Sequence, residues 1–168
     1  MDKQIIGRNA LVDISGYCNV PAKIDTGADS SAIWVSNVEV TPDHILKFTF
    51  FGPGSPFYDG KTISINDFKA VITRSSHGDE KIFYRTPLTV VIAGREICSL
   101  FTLSNRKRNL FPILIGRRTL AGNFIVDVEK QIIDPPRAHR TRHLNDELQK
   151  NPYQFHLKYI KNNCGDNL

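Results

Sequence analysis

An all-β domain, a sandwich or closed barrel with one short helix, is what the sequence predicts, and three observations predict it. Short segments rich in Val, Ile, Phe and Thr recur along the first 133 residues. Turn-forming pieces separate them, among them Gly27-Ala28-Asp29, Gly52-Pro53-Gly54, Ser75-Ser76-His77-Gly78 and Ala93-Gly94-Arg95. Only Arg117 to Ala121 reads as helix in that region, closed by Gly122 in the position of a C-terminal cap.

In chain order the predicted strands are Ala10 to Ile14, Val20 to Ile24, Ser31 to Val35, Leu46 to Phe51, Thr62 to Ile65 and Phe68 to Thr73. Lys81 to Arg85, Leu88 to Ile92, Ile97 to Leu103, Ile113 to Ile115 and Phe124 to Val128 complete the set. Many short strands at close spacing indicate a β-sandwich or barrel. After residue 133 the composition changes: Pro135-Pro136 ends the strand pattern, and a polar, basic tail runs from 134 to 168. Within it Leu144 to Lys150 is expected to form a short helix that Pro152 interrupts.

The 168 residues are 40% hydrophobic and 23% charged, enough for one globular domain with a real core. Apolar runs such as Phe48 to Phe51 fall far short of the roughly 18 residues of a spanning helix, so no membrane partner is expected. The start, MDKQIIGRNALVDI, carries charges at Asp2 and Arg8 and no uninterrupted apolar region, which points to the cytoplasm. Cys18, Cys98 and Cys164 are an odd number without paired short spacing, and they read as reduced structural thiols. The net charge of +5 suits a polyanionic partner without choosing among nucleic acid, lipid and acidic peptide. Between Thr102 and Arg118 five basic residues, Arg106, Lys107, Arg108, Arg117 and Arg118, stand without an acidic one. A solvated loop followed by a helix start accounts for that run on structural grounds alone.

Chemistry concentrates in AKIDTGADSSAIW, Ala22 to Trp34. An apolar strand delivers Asp25 into a turn made by Thr26, Gly27 and Ala28, and a second strand leaves at Ser31. One carboxylate is thereby held at a strand end, with Gly27 expected to supply backbone freedom and Thr26 a hydroxyl that can reach a facing copy. Taken alone, the triplet is also what an ordinary hairpin turn contains. A second block, FPILIGRRTLAG from Phe111 to Gly122, carries an apolar strand ending in Gly116, where a missing side chain lets two strands pass closely.

The D-T-G-A turn with a later apolar-apolar-Gly-Arg strand and helix resembles the retropepsin-like aspartic peptidases, and implies a retropepsin-like closed β-barrel, half of a pepsin-type fold, over residues 1–133. KIDTGADSSAIW, ITRSSHGDEKIFYRTPLTVVIAGRE and FPILIGRRTLAGNFIVD, in this order, are similar to the bacterial family often labelled RimK-associated ATP-dependent zinc protease, better described as RimB-type retropepsin-like endopeptidases. The resemblance covers about residues 3 to 133 and implies Asp25 as catalytic carboxylate, Thr26 and Gly27 completing its turn, and Ile72 to Tyr84 as the hairpin over the cleft. That hairpin carries Arg74, Ser75, Ser76, His77, Gly78, Asp79 and Glu80 in place of the usual apolar, glycine-rich flap, which suits a polar substrate.

With one catalytic Asp per chain, a homodimer is required, because amide hydrolysis by this route uses two carboxylates that share a proton. The resemblance implies cleavage of poly-α-glutamate chains, of the kind a RimK-type glutamate ligase adds to a small-subunit ribosomal protein, and hence a functional association with both. A polyanionic chain needs cationic grips, for which Arg74, His77, Arg85, Arg106, Lys107 and Arg108 are the candidates. Arg117, opening the helix, reads as structural.

Neither cofactor in the family label is expected. GSPFYDGKT, Gly54 to Thr62, encloses five residues between its glycines where a phosphate loop has four, and Thr62 leads into a strand instead of a helix. No H-E-x-x-H occurs, and the spaced pair His139 and His143 sits among arginines, so no metal site is assigned. Three rival readings stay open: a catalytically inactive retropepsin-fold module binding an acidic peptide or ribosomal partner, a nucleic-acid-binding module, and a zinc-dependent protease.

Overall fold

Alternation of buried and exposed side chains builds the strands, as in β2 (Asn9–Ile14), which buries Ala10, Val12 and Ile14 and exposes Leu11 and Asp13. The computed structural model describes residues 2–74, 80–134 and 139–159. It divides into two units, 1–134 and 135–168, a boundary one residue beyond the expected one. About half of the described residues lie in strands.

The first unit contains β1 (Gln4–Ile6), β2, β3 (Tyr17–Asp25), β4 (Ser31–Val40), β5 (Leu46–Phe50) and β6 (Thr62–Ile65). It continues with β7 (Lys69–Arg74), β8 (Glu80–Ile92), β9 (Arg95–Ser104), β10 (Ile113–Gly116), the helix α1 (Arg117–Leu120) and β11 (Phe124–Val126). Six strands close a barrel in the order β10-β3-β2-β8-β9-β4, the ring being completed where β4 returns to β10. β10 runs parallel to β3, and β4 parallel to β9; the other neighbours in the ring are antiparallel. The all-β barrel fold class is therefore as expected.

Inside the ring, Val12, Val20, Ala22, Ile33, Ile92, Phe101, Ile113 and Ile115 are all buried. Beyond the ring, β4 continues through Val35 into pairing with β5, whose other edge pairs with β6 and whose Phe48 and Phe50 stack edge-on with one another. Ser15-Gly16 and Ala93-Gly94 have positive φ at both residues and make the two-residue turns joining β2 to β3 and β8 to β9.

Three departures from expectation have physical causes. The two strands expected on either side of Pro87 are one, β8, because Pro87 falls between the end of its β7 pairing at Arg85 and the start of its β2 pairing at Val90. One edge of β8 needs no donor there, so the missing N–H costs nothing. β1 was not expected, since three residues carry too little alternation, and it pairs with β11 as a separate parallel ribbon exposing Ile5 and Ile125. In the second unit α2 (His139–Lys150) and α3 (Pro152–Tyr159) follow one another, and Pro152 opens a helix instead of only ending one. Proline suits the first helical position, and the Asn151 side chain accepts the Gln154 amide as its cap.

Candidate active site

β3 buries Ala22 and Ile24 in the barrel and turns Lys23 and Asp25 to its other face, as a period of two requires. Asp25 is the last residue of the strand, level with Gly116 on the neighbouring β10. Its Oδ1 accepts the amides of Gly27 and Ala28, both at 3.2 Å, so the turn folds back to hold the carboxylate. Its Oδ2 accepts from the Lys23 ammonium at 3.0 Å. The Lys23 hydrogen bond is the largest influence holding the Asp25 carboxyl below its ordinary value, joined by the lysine charge and the two amides and opposed by partial burial.

The turn is fastened to β10 and α1 by contacts that span the chain. The Ala28 carbonyl accepts the Arg117 amide at 2.8 Å, and the Asp29 carboxylate takes the guanidinium groups of Arg117 and Arg118 at 2.9 and 2.8 Å. Both arginines hold Asp29 below the ordinary carboxylate range, the Arg117 hydrogen bond foremost. Beneath them the buried Ser31 hydroxyl accepts the Gly116 amide at 3.1 Å and lies 2.7 Å from the Thr119 hydroxyl, which lies 2.7 Å from Ser99. Gly116 has to be glycine: a Cβ there would stand 2.5 Å from the Ser30 carbonyl carbon. Gly27 is different. Its φ is outside the left-handed region and a Cβ would meet Asp25 Oδ1 at 3.5 Å, an ordinary contact, so the expected need for backbone freedom is not present within one chain.

Asp25, Thr26 and Gly27 thus share one turn, with Thr26 and Gly27 exposed. The expected cations divide. Arg106, on the loop after β9, is half-buried, donates from Nε to the Phe111 carbonyl at 3.2 Å, and feels the Asp25 charge, which opposes the lowering of its pKa by burial. Lys107 and Arg108 are exposed on the same loop. Arg85 instead donates from Nε to the Thr102 hydroxyl at 3.0 Å, across the β8–β9 ladder. Arg74 stands opposite Glu80 in the β7–β8 register, and His77 lies outside the described residues. Arg117 is engaged with Asp29, in the structural role expected of it.

Lys23 was missed by sequence reasoning, although K-I-D in a strand places the two charges on one face. The Ser31–Thr119–Ser99 hydroxyl chain was missed because its members are far apart in sequence. Thr62 does lead into β6, so the loop from Gly54 lacks the helix a phosphate site requires. Among the described residues no group of three or more His, Cys, Asp and Glu side chains is placed to hold a metal ion, and no helix is long and apolar enough to cross a membrane. The side chains of His139 and His143 lie outside what is described.

No family model matches the chain, and no curated protein matches it. Among solved structures it is similar to a protein of unknown function (DUF785) from Legionella pneumophila subsp. pneumophila str. Philadelphia 1. The TM-score is 0.61 at 22% identity, over 77% of this chain and 97% of that one. What is shared is the fold.

Proposed function

We propose that the chain is an aspartic endopeptidase of the RimB-type retropepsin-like kind, active as a homodimer on acidic poly-α-glutamate chains in the cytoplasm, without a metal or nucleotide cofactor. The observation that carries the reading is a single carboxylate, Asp25, presented at an exposed turn and oriented by the amides of Gly27 and Ala28. In the dimer two Asp25 side chains face one lytic water. One, ionised, takes a proton from that water as its oxygen attacks the scissile carbonyl carbon; the other donates its proton to the carbonyl oxygen. The tetrahedral diol collapses by breaking the C–N bond, the amine leaving with the proton the first Asp25 took from water while a diol hydroxyl returns one to the second, and no covalent acyl-enzyme forms.

Support for a second copy comes from the exposed Thr26 and Gly27 and from the β1–β11 ribbon. That ribbon buries Ile6 and Phe124 in the core and displays Ile5 and Ile125, apolar surface that a second copy could cover. Support for an acidic substrate comes from Lys107, Arg108 and Arg106 on the loop beside Asp25. The association with a RimK-type ligase and its ribosomal product rests on the sequence resemblance. Exposed, unpaired Cys18 and Cys98 suit a reducing compartment.

A second reading, an inactive module that binds an acidic peptide, is favoured by one observation: Lys23 neutralises Asp25 in the free chain. Incubating the purified protein with poly-α-glutamate, with and without a chelator, beside Asp25→Asn separates the two. The peptidase reading expects cleavage that survives chelation and falls at least about a thousandfold in the variant. Binding without cleavage would support the module, and zinc-restored activity would support the metal label.

A further inference from the structure

The cation nearest the reacting carboxylate is one to which no role has yet been given. Lys23 is half exposed, shares the outer face of β3 with Asp25, and stands between Asn9 of β2 and Leu114 of β10 in the register. Its only described partner is Asp25 Oδ2, at 3.0 Å. An ammonium has three donors, so two remain for a ligand. Of the other basic groups near the turn, Arg117 and Arg118 are engaged with Asp29 and Arg106 donates to the Phe111 carbonyl, while Lys107 and Arg108 are exposed farther along that loop. A half-exposed ion pair is weak, so another carboxylate can exchange into it.

Resting on the peptidase reading, we propose that Lys23 reads the substrate's acidic side chain and couples that recognition to chemistry: paired with Asp25 in the free enzyme, it is drawn onto a glutamate carboxylate beside the scissile bond. The consequence follows from charge. While Lys23 stays on Asp25 it stabilises the ionised form, and a dyad with both carboxylates ionised has no proton to donate. Withdrawing the lysine leaves two facing carboxylates that share one proton, the reactive state. A neutral side chain of the same shape leaves Lys23 where it was. Discrimination between glutamate and glutamine then appears in kcat as well as in binding. The groups that face Asp25 are Lys23 on its own strand, the amides of Gly27 and Ala28, and Arg106 from the loop after β9; of these, Lys23 is the half-exposed cation paired directly with the carboxylate.

Two measurements test this on the full chain. In the Asp25→Asn background, where nothing is cleaved, binding of penta-α-glutamate and penta-glutamine is compared with and without Lys23→Met and Lys23→Arg. Because Asp25→Asn releases the lysine, Lys23→Met is expected to weaken glutamate binding about tenfold or more while leaving glutamine binding unchanged, and Lys23→Arg to retain most of it. Equal effects on both oligomers, or none, would overturn the recognition role. In the active protein the alkaline limb of kcat is expected at lower pH for glutamine than for glutamate substrates, a gap that narrows in Lys23→Met. Coincident limbs in the wild type would overturn the coupling. If the wild type cleaves neither oligomer, the peptidase reading and the coupling fall together, and the binding comparison still decides whether Lys23 recognises the carboxylate. Melting curves that match between Lys23→Met and Lys23→Arg exclude misfolding as the cause of either result.

Discussion

The Asp25 turn and the β7–β8 hairpin both project from the barrel, and they are held by different physics. Residues 25–31 are fastened from below and from the side: two amides on the carboxylate, backbone bonds from Arg117 and Arg118 to Ala28 and Asp29, two arginines on Asp29, and a buried hydroxyl under Gly116. Beyond Lys69, β7 has one partner strand, and the apolar pair Ile72 and Ile82 across that ladder is 65% and 67% exposed. Under the proposed peptidase function the Asp25 carboxylate has to be where it is before substrate arrives, and cross-linking by many short contacts does that. Under the same proposal a hairpin that closes over a peptide has to be free to move, and the few buried contacts of Ile72 and Ile82 would permit it.

Substitutions at the fastened end should be costly. Gly116→Val is the largest expected effect, since its first carbon already overlaps the Ser30 carbonyl; a loss of about 3 kcal/mol or outright failure to fold is expected in urea denaturation. An unchanged midpoint would mean that the turn yields. Ser31→Ala keeps the shape and strands the Gly116 amide, and should cost about 1–3 kcal/mol by the same measurement. At the other end the order of effects reverses. The double substitution Ile72→Ser with Ile82→Ser should move stability by no more than about 1 kcal/mol, because both side chains are already in water. Its kcat/KM should nevertheless fall several-fold if the hairpin closes on substrate, and a large drop in melting temperature with normal kinetics would reverse the contrast.

The same contrast decides what could be read from the chain. Strands announced themselves through composition, Thr62–Ile65 to the residue, because each buries alternate side chains against its immediate neighbours. Gly116 was readable as a close crossing because glycine at the end of an apolar strand has few other uses. Pro87 and Pro152 misled, since a proline's effect depends on whether its N–H was needed: at the unpaired edge of β8 and at the first position of α3 it was not. The fastening of the turn was out of reach, because Ser31, Ser99 and Thr119 meet only after the barrel closes. Lys23 was within reach, two residues before Asp25 on one face of a strand, and was passed over because Arg74, Arg85 and the 106–108 run drew attention as the cationic grips.

One mixing experiment addresses the claim that two Asp25 carboxylates from two copies form one site. Wild-type protein is equilibrated with increasing Asp25→Asn protein at fixed wild-type concentration, and cleavage of poly-α-glutamate is followed. If each site needs both carboxylates, the variant captures wild-type subunits in dead heterodimers. Activity per wild-type subunit should then fall to about half at equal parts and about a tenth at ninefold excess. Activity that stays constant while the variant is added would mean that one copy of Asp25 suffices, and the shared dyad would be wrong.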